Sequence, residues 1–344
     1  MKNVKTGLIY DKIFLAHDLP GHPENSKRLR AVVSELKESG LWELTTQSES
    51  RNASDSELRL CHSEEYVNYV KKFCEDGGGY LDADTYTNKY SYEAALIAVG
   101  SLIDLVRQVV DGKLKNGFAL LRPPGHHALS VRSMGFCLFG NIAIAAKAAL
   151  QHSNINRVTI VDIDVHHGNG TQALVGDDPD ILYVSTHQYP FYPGTGNMKE
   201  IGKGKSEGSL LNVPLPASVN DDGFKDLYSE IIIPKIERFN PDLLLISAGY
   251  DAHWDDPLAN MGLSLSGYFW ISQQLNELAV RLCNSKIIFA LEGGYNLEAL
   301  STGVANSVRV LLGSEDFNDP IGKSPYTQPD ISGLIKELKA IHQL

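Results

Sequence analysis

Five short apolar runs, each stopping at polar or glycine-rich residues, constrain this chain more than anything else in it. They are GFALL (117–121), RVTIVDID (157–164), ILYVSTH (181–187), PDLLLISAG (241–249) and SKIIFALEGG (285–294). Each has strand length, is rich in branched or aromatic side chains, and is flanked by polar or glycine-containing segments. Helical patterns lie around and between them, over 92–112, 141–153, 223–239 and 267–283. A further amphipathic stretch over 27–40 ends at Gly40. This alternation predicts an α/β fold with a parallel sheet covered by helices on both faces. No repeat or low-complexity linker divides it, so 1–344 reads as a single domain. In open α/β sheets ligands bind at the carboxyl ends of strands, which is where every polar cluster of this chain begins.

The richest cluster is VDIDVHHGNGTQ, 161–172. Strand residues two apart share a face, so Asp164 and His166 are expected to point the same way and form half of a metal site. A third ligand is available in Asp251, just after the LLLISAG run. Three protein ligands with open positions is the catalytic arrangement of zinc. Two carboxylates and one imidazole make a hard set, on which Fe²⁺ competes with Zn²⁺.

LLRPPGHHALS (120–130) follows another run and carries His126 and His127 on a loop stiffened by Pro123 and Pro124. Adjacent histidines serve as acid and base if different partners separate their pKa values. Asp162 is a candidate partner for one, and Asn169, which adds no negative charge, for the other. FALEGGYNLEAL (289–300) places Tyr295 after two glycines, where a phenol can donate to a developing oxyanion. SMGFCLFGN (133–141) and HQYPFYPGTG (187–196) offer Phe136, Phe191 and Tyr192 as walls of a narrow slot.

Composition excludes several alternatives. A formal net charge of −11 argues against binding nucleic acid directly and mildly favours a cationic substrate. No stretch approaches the roughly 20 apolar residues of a membrane helix. The four cysteines (Cys61, Cys74, Cys137, Cys283) have no CxxC spacing and read as reduced, buried thiols. With no apolar leader in MKNVKTGLIYDKIFLAHD, the expected location is cytoplasmic. No interface patch is visible in the sequence, and the oligomeric state stays open.

In this order, RPPGHHA, GFCLFGN, DIDVHHGNGTQ, FYPGTG, SAGYDAH and EGGY resemble the histone deacetylase and acetylpolyamine amidohydrolase family. The likeness runs over about residues 10–312 and leaves 313–344 as an extension expected to pack on the domain. It implies the arginase/deacetylase fold, with a central eight-stranded parallel sheet, and a catalytic zinc held by Asp164, His166 and Asp251. It further implies His127 as general base and then acid, His126 as its electrostatic companion paired with Asp162, and Tyr295 as the carbonyl-polarising phenol. Gly135, Phe136, Tyr192 and Leu258 fall on the substrate tunnel, and Tyr192 stands where the family more often has phenylalanine. Arg28 resembles the arginine beside an acetate-release cavity. Asp162, Asp164, His166, Ser185 and Thr186 align with a structural monovalent-cation site, usually potassium. Asn169 and Glu292 resemble the class II branch, whereas class I usually has aspartate and glycine there.

The implied activity is deacetylation of acetyl-lysine in a protein or peptide, or of a related acylated amine. An acetylpolyamine or other small-molecule substrate is the alternative, which Leu258 weakens, since polyamine-selective relatives can carry a gatekeeping glutamate there. An arginase-like site with two manganese ions is disfavoured because Gly168 replaces the further aspartate that such sites need. A catalytically silent acyl-ligand binding protein is disfavoured because Tyr295 and all three ligands are present.

Overall fold

The computed structural model describes residues 5–344; the first four, with which the leader reading begins, lie outside it. The central sheet has eight strands. They are β1 (Thr6–Ile9), β2 (Thr46–Gln47), β3 (Asn116–Ala119) and β4 (Val158–Asp162). The others are β5 (Ile181–Gln188), β6 (Leu210–Leu215), β7 (Leu243–Ala248) and β8 (Ile287–Leu291). They lie in the order β2-β1-β3-β8-β7-β4-β5-β6, and every pairing is parallel. Residues of β4, β7 and β8 are buried on both faces, as a sheet covered by helices on both sides requires. Each fully buried Leu, Ile or Val side chain there contributes about 1.5–3 kcal/mol.

All five expected strands form. Those at Thr6–Ile9, Thr46–Gln47 and Leu210–Leu215 were not singled out by pattern: two are very short, and LLNVPL is interrupted by Asn212 and Pro214. Pro214 is tolerated because β6 is an edge strand, bonded only to β5, and a proline lacks the N–H of a central ladder.

The helices over 27–40, 92–112, 141–153 and 267–283 are found as Lys27–Glu38, Ser91–Val110, Asn141–Leu150 and Leu265–Leu282. The expected single helix over 223–239 is instead broken into Asp221–Leu227, a π-turn at Tyr228–Ile232, and Ile233–Phe239. Pro234 cannot donate to the carbonyl four residues back, and the wider turn just before it absorbs the interruption. A further helix, Leu297–Leu312, packs beside Lys27–Glu38 and Leu265–Leu282. The helix Ser332–His342 lies against the π-turn, held by Arg238 donating to the carbonyls of His342 (3.0 Å) and Gln343 (2.8 Å). All four cysteines are buried and unpaired. Among the described residues no helix is long and apolar enough to cross a membrane.

Candidate metal centre and tunnel

Four neighbouring strands, β3, β8, β7 and β4, end side by side, and the segments after them supply the polar groups. After β4 the chain leaves the ladder at Asp162, so Asp164 and His166 sit in a turn and not on a pleat. They still converge, for a different reason than strand alternation. Asp162 Oδ1 accepts from the Asp164 N–H (3.2 Å), and Asp164 Oδ1 accepts from the His166 N–H (2.9 Å). These two bonds curl the segment until His166 Nδ1 stands 3.1 Å from Asp164 Oδ1 and 3.3 Å from Asp251 Oδ2.

Asp251 arrives from the end of β7 and is anchored by Val165 N–H donating to its Oδ1 (2.9 Å). Both carboxylates are fully buried, and Asp251 Oδ2 has no hydrogen-bond partner among the described residues. One ligand atom from each of Asp164, His166 and Asp251 can be chosen so that all lie within 4.8 Å of one another. Two buried carboxylates facing each other are costly unless a cation lies between them. The set fits a divalent metal. Gly249 and Gly293 leave room for it, because a Cβ at either would press into the Asp164 or Asp251 carboxylate.

His126 and His127 follow β3. Their rings are 4.0 Å apart, yet their partners differ in charge. His126 Nδ1 donates to Asp162 Oδ2 (3.1 Å), which also accepts from the Tyr183 hydroxyl (3.0 Å). His127 Nδ1 donates to the neutral Asn169 Oδ1 (2.8 Å), which leaves Nε2 with a free lone pair. Burial disfavours a charged His126, but Asp164 and Asp162 outweigh it and push its pKa well up. Burial and the neighbouring His126 and His166 push that of His127 well down. Unlike partners thus push the pKa values of two adjacent imidazoles in opposite directions.

Glu292, noted above only for its family branch, turns out to hold this loop. Its buried carboxylate accepts from the backbone N–H groups of Gly125 (2.7 Å) and His126 (3.2 Å), and burial pushes its pKa up to about 7.

Tyr295 and the aromatic residues enclose a pocket of about 180 Å³ that His126, His127 and His166 also line. Phe136, Tyr192, Gly135 and Leu258 line it as expected, together with Phe191, Pro124 and Asp84. Gly135 and Phe136 both take the left-handed conformation (φ 56° and 69°), unusual for an aromatic residue. The turn of the hairpin formed by Gly78–Tyr80 and Tyr86–Asn88 holds them there. Asp84 Oδ1 accepts from Gly135 N–H (3.2 Å), and Thr85 Oγ1 accepts from Phe136 N–H (3.1 Å). Tyr192 meets the His127 ring edge-on at 5.2 Å, and Phe191 stacks on His166 at 5.6 Å. Both aromatics of the FYPGTG loop therefore form the wall.

Beneath Tyr295, Arg28 sits 5.1 Å from its ring centroid and donates to the carbonyls of Gly294 (2.7 Å) and Glu292 (2.5 Å). Arg28 shares Glu24 with Arg122, the residue that opens the histidine loop, and all three side chains are fully buried. Burial alone would raise the Glu24 carboxyl, but Arg122 and Arg28 hold it well below the usual range. Glu24→Ala strands two buried guanidinium groups and is expected to cost about 3–5 kcal/mol of stability, read as a lower urea midpoint. The sign is that of a depressed carboxylate: the stabilisation is full above a pH of about 4.3 and fades as pH falls below it.

Of the candidates for the monovalent-cation site, Asp162 ends β4 in register with Ser185 of β5, Thr186 follows on β5, and Asp164 and His166 lie in the turn after β4. The Ser185 hydroxyl bonds His187 Nδ1 (2.9 Å), while the buried Thr186 hydroxyl has no hydrogen-bond partner among the described residues.

The chain matches the family model described as "Histone deacetylase domain" over residues 22–311. It is similar to histone deacetylase 14, chloroplastic, of Arabidopsis thaliana, with 38% identity over 96% of this chain and 83% of that protein. It is likewise similar to a probable deacetylase of Archaeoglobus fulgidus, at 37% identity over 85% of this chain and 82% of that protein. Among solved structures it resembles the HDA15 HD domain, with a TM-score of 0.90 and 36% identity over 98% of this chain and 94% of that one.

Proposed function

The chain belongs to the histone deacetylase family, and from that premise we propose that it is a zinc-dependent deacetylase acting on acetyl-lysine in proteins or peptides. The observation that carries this reading is a buried two-aspartate, one-histidine cluster whose His166 lines one pocket together with His127 and Tyr295.

Asp164, His166 and Asp251 would hold the zinc, and Fe²⁺ suits the same donor set. When bound, the ion supplies Lewis acidity that polarises the amide carbonyl and acidifies water. His127 Nε2, left free by the bond from Nδ1 to Asn169, takes the proton as water attacks and returns it to the departing amine. His126, paired with Asp162, stays cationic and offsets the surrounding carboxylates. The Tyr295 hydroxyl donates to the carbonyl oxygen as negative charge develops there. Phe136, Phe191 and Tyr192 sheathe the aliphatic stem and keep bulk water out. Arg28 would face the departing acetate. We assign Asp162, Asp164, His166, Ser185 and Thr186 to a structural potassium site, supported by the unpartnered Thr186 hydroxyl.

A substrate panel on the zinc-loaded protein tests the reading, with an acetyl-lysine peptide, N-acetylated polyamines and longer acyl-lysines compared by kcat/KM. The acetyl-lysine peptide is expected to lead. A higher value for an acetylpolyamine would move the assignment to small amines, and no hydrolysis of any member would sink it.

A further inference from the structure

We propose that Asp256 is a positioning residue for Tyr295, its carboxylate clamping the backbone of the tyrosine's loop to that of the tunnel residue Leu258. The inference rests on the role of Tyr295 proposed above. Asp256 is 5% exposed, lies off the metal cluster, and has no part in the chemistry so far described. Its Oδ2 accepts from the backbone N–H groups of Tyr295 (2.7 Å) and Asn296 (3.1 Å), and its Oδ1 from that of Leu258 (2.9 Å).

The tyrosine needs such a restraint. It follows Gly293 and Gly294, the latter at φ 117°, so the preceding backbone has little stiffness of its own. The Arg28 guanidinium stands 5.1 Å from the ring centroid and Phe136 meets the ring edge-on at 6.0 Å, and neither contact fixes the hydroxyl's direction. The Tyr295 N–H is the one polar group of that residue that the described residues hold. A second tie joins the same two segments: Asn296 Nδ2 donates to the Asp255 carbonyl (3.0 Å) and carboxylate (2.9 Å). Asn296 also caps the helix Leu297–Leu312, with Oδ1 accepting from the N–H groups of Glu298 and Ala299 (both 3.1 Å). The clamp therefore refers the tyrosine's position to a long, packed helix on one side and to the tunnel wall on the other.

The carboxylate is specific to this task, because only two acceptor oxygens can serve N–H groups from both directions. Asparagine has one carbonyl oxygen, and its amide would point donors at the N–H of Leu258 or of Tyr295.

A double-mutant cycle tests the clamp: kcat, KM and zinc content for Asp256→Ala, Asp256→Asn, Tyr295→Phe and the double variants. Misplacing a donor by an ångström predicts that Asp256→Ala loses roughly a hundredfold in kcat, with KM and zinc content nearly unchanged. Asp256→Asn is expected to fall between it and the native protein. In the Tyr295→Phe background the same change should alter kcat by less than about twofold, because no hydroxyl is left to position. If Asp256→Ala does not fold, the cycle is run with Asp256→Asn, and a coupling of the same sign and smaller size is expected. An equal loss in both backgrounds overturns the clamp alone, as does native-like kcat in Asp256→Ala. Near-native turnover of Tyr295→Phe overturns the role of Tyr295, and the clamp with it.

Discussion

Asp251→Ala is expected to lose bound zinc and turnover together. Asp251 provides one of two carboxylates in a three-residue donor set, and the two residues left fall short of the three protein ligands of a catalytic zinc site. The loss of affinity should exceed the roughly 10–100-fold that follows removal of a mere outer hydrogen-bond partner. The fold should survive. Asp251 bonds one backbone N–H, that of Val165, at a cost of about 1–3 kcal/mol if left unsatisfied, while one of two opposed buried carboxylates is also removed. Elemental analysis after dialysis, with turnover on the same sample, checks this. A variant that is metal-replete and active would remove Asp251 from the ligand set.

Tyr295→Phe separates chemistry from metal binding. The substitution deletes one hydroxyl and keeps the ring between Arg28 and Phe136. Loss of a single oxyanion donor predicts a fall of about 10²–10³-fold in kcat, or roughly 3–4 kcal/mol of transition-state stabilisation. Zinc content and KM should stay near native values, because the phenol acts on charge that appears only as the reaction proceeds. Turnover close to native would exclude Tyr295 as the oxyanion donor and leave the metal cluster unaffected.

How much of this could be read beforehand depended on whether the signal was local. Apolar runs 117–121, 157–164, 181–187, 241–249 and 285–294 announce strands because burial on both faces demands unbroken aliphatic composition. The turn-rich segments after them announce the site, since irregular polar residues collect at strand ends. The family resemblance added the strand count, which composition could not supply for a two-residue strand at Thr46–Gln47.

Asp164 and His166 were found by the right spacing for the wrong reason: hydrogen bonds to the Asp162 and Asp164 carboxylates, not the pleat, bring them together. Glu24 gave no signal, because its meaning lies in Arg122, 98 positions away in the chain. Asp256 is equally silent, since it acts on a backbone N–H 39 positions away.

The sequence by itself therefore determined the layers of the fold and nominated Asp164, His166, Asp251, His126, His127 and Tyr295 as candidates for one site. Only the tertiary structure decided how they meet: strand order sets β3, β8, β7 and β4 side by side. It also decided which carboxylates hold the loops in place. The physical reason is that burial and periodicity are written residue by residue. Strand order and the pairing of buried charges and N–H groups are set by contacts between residues far apart in the chain.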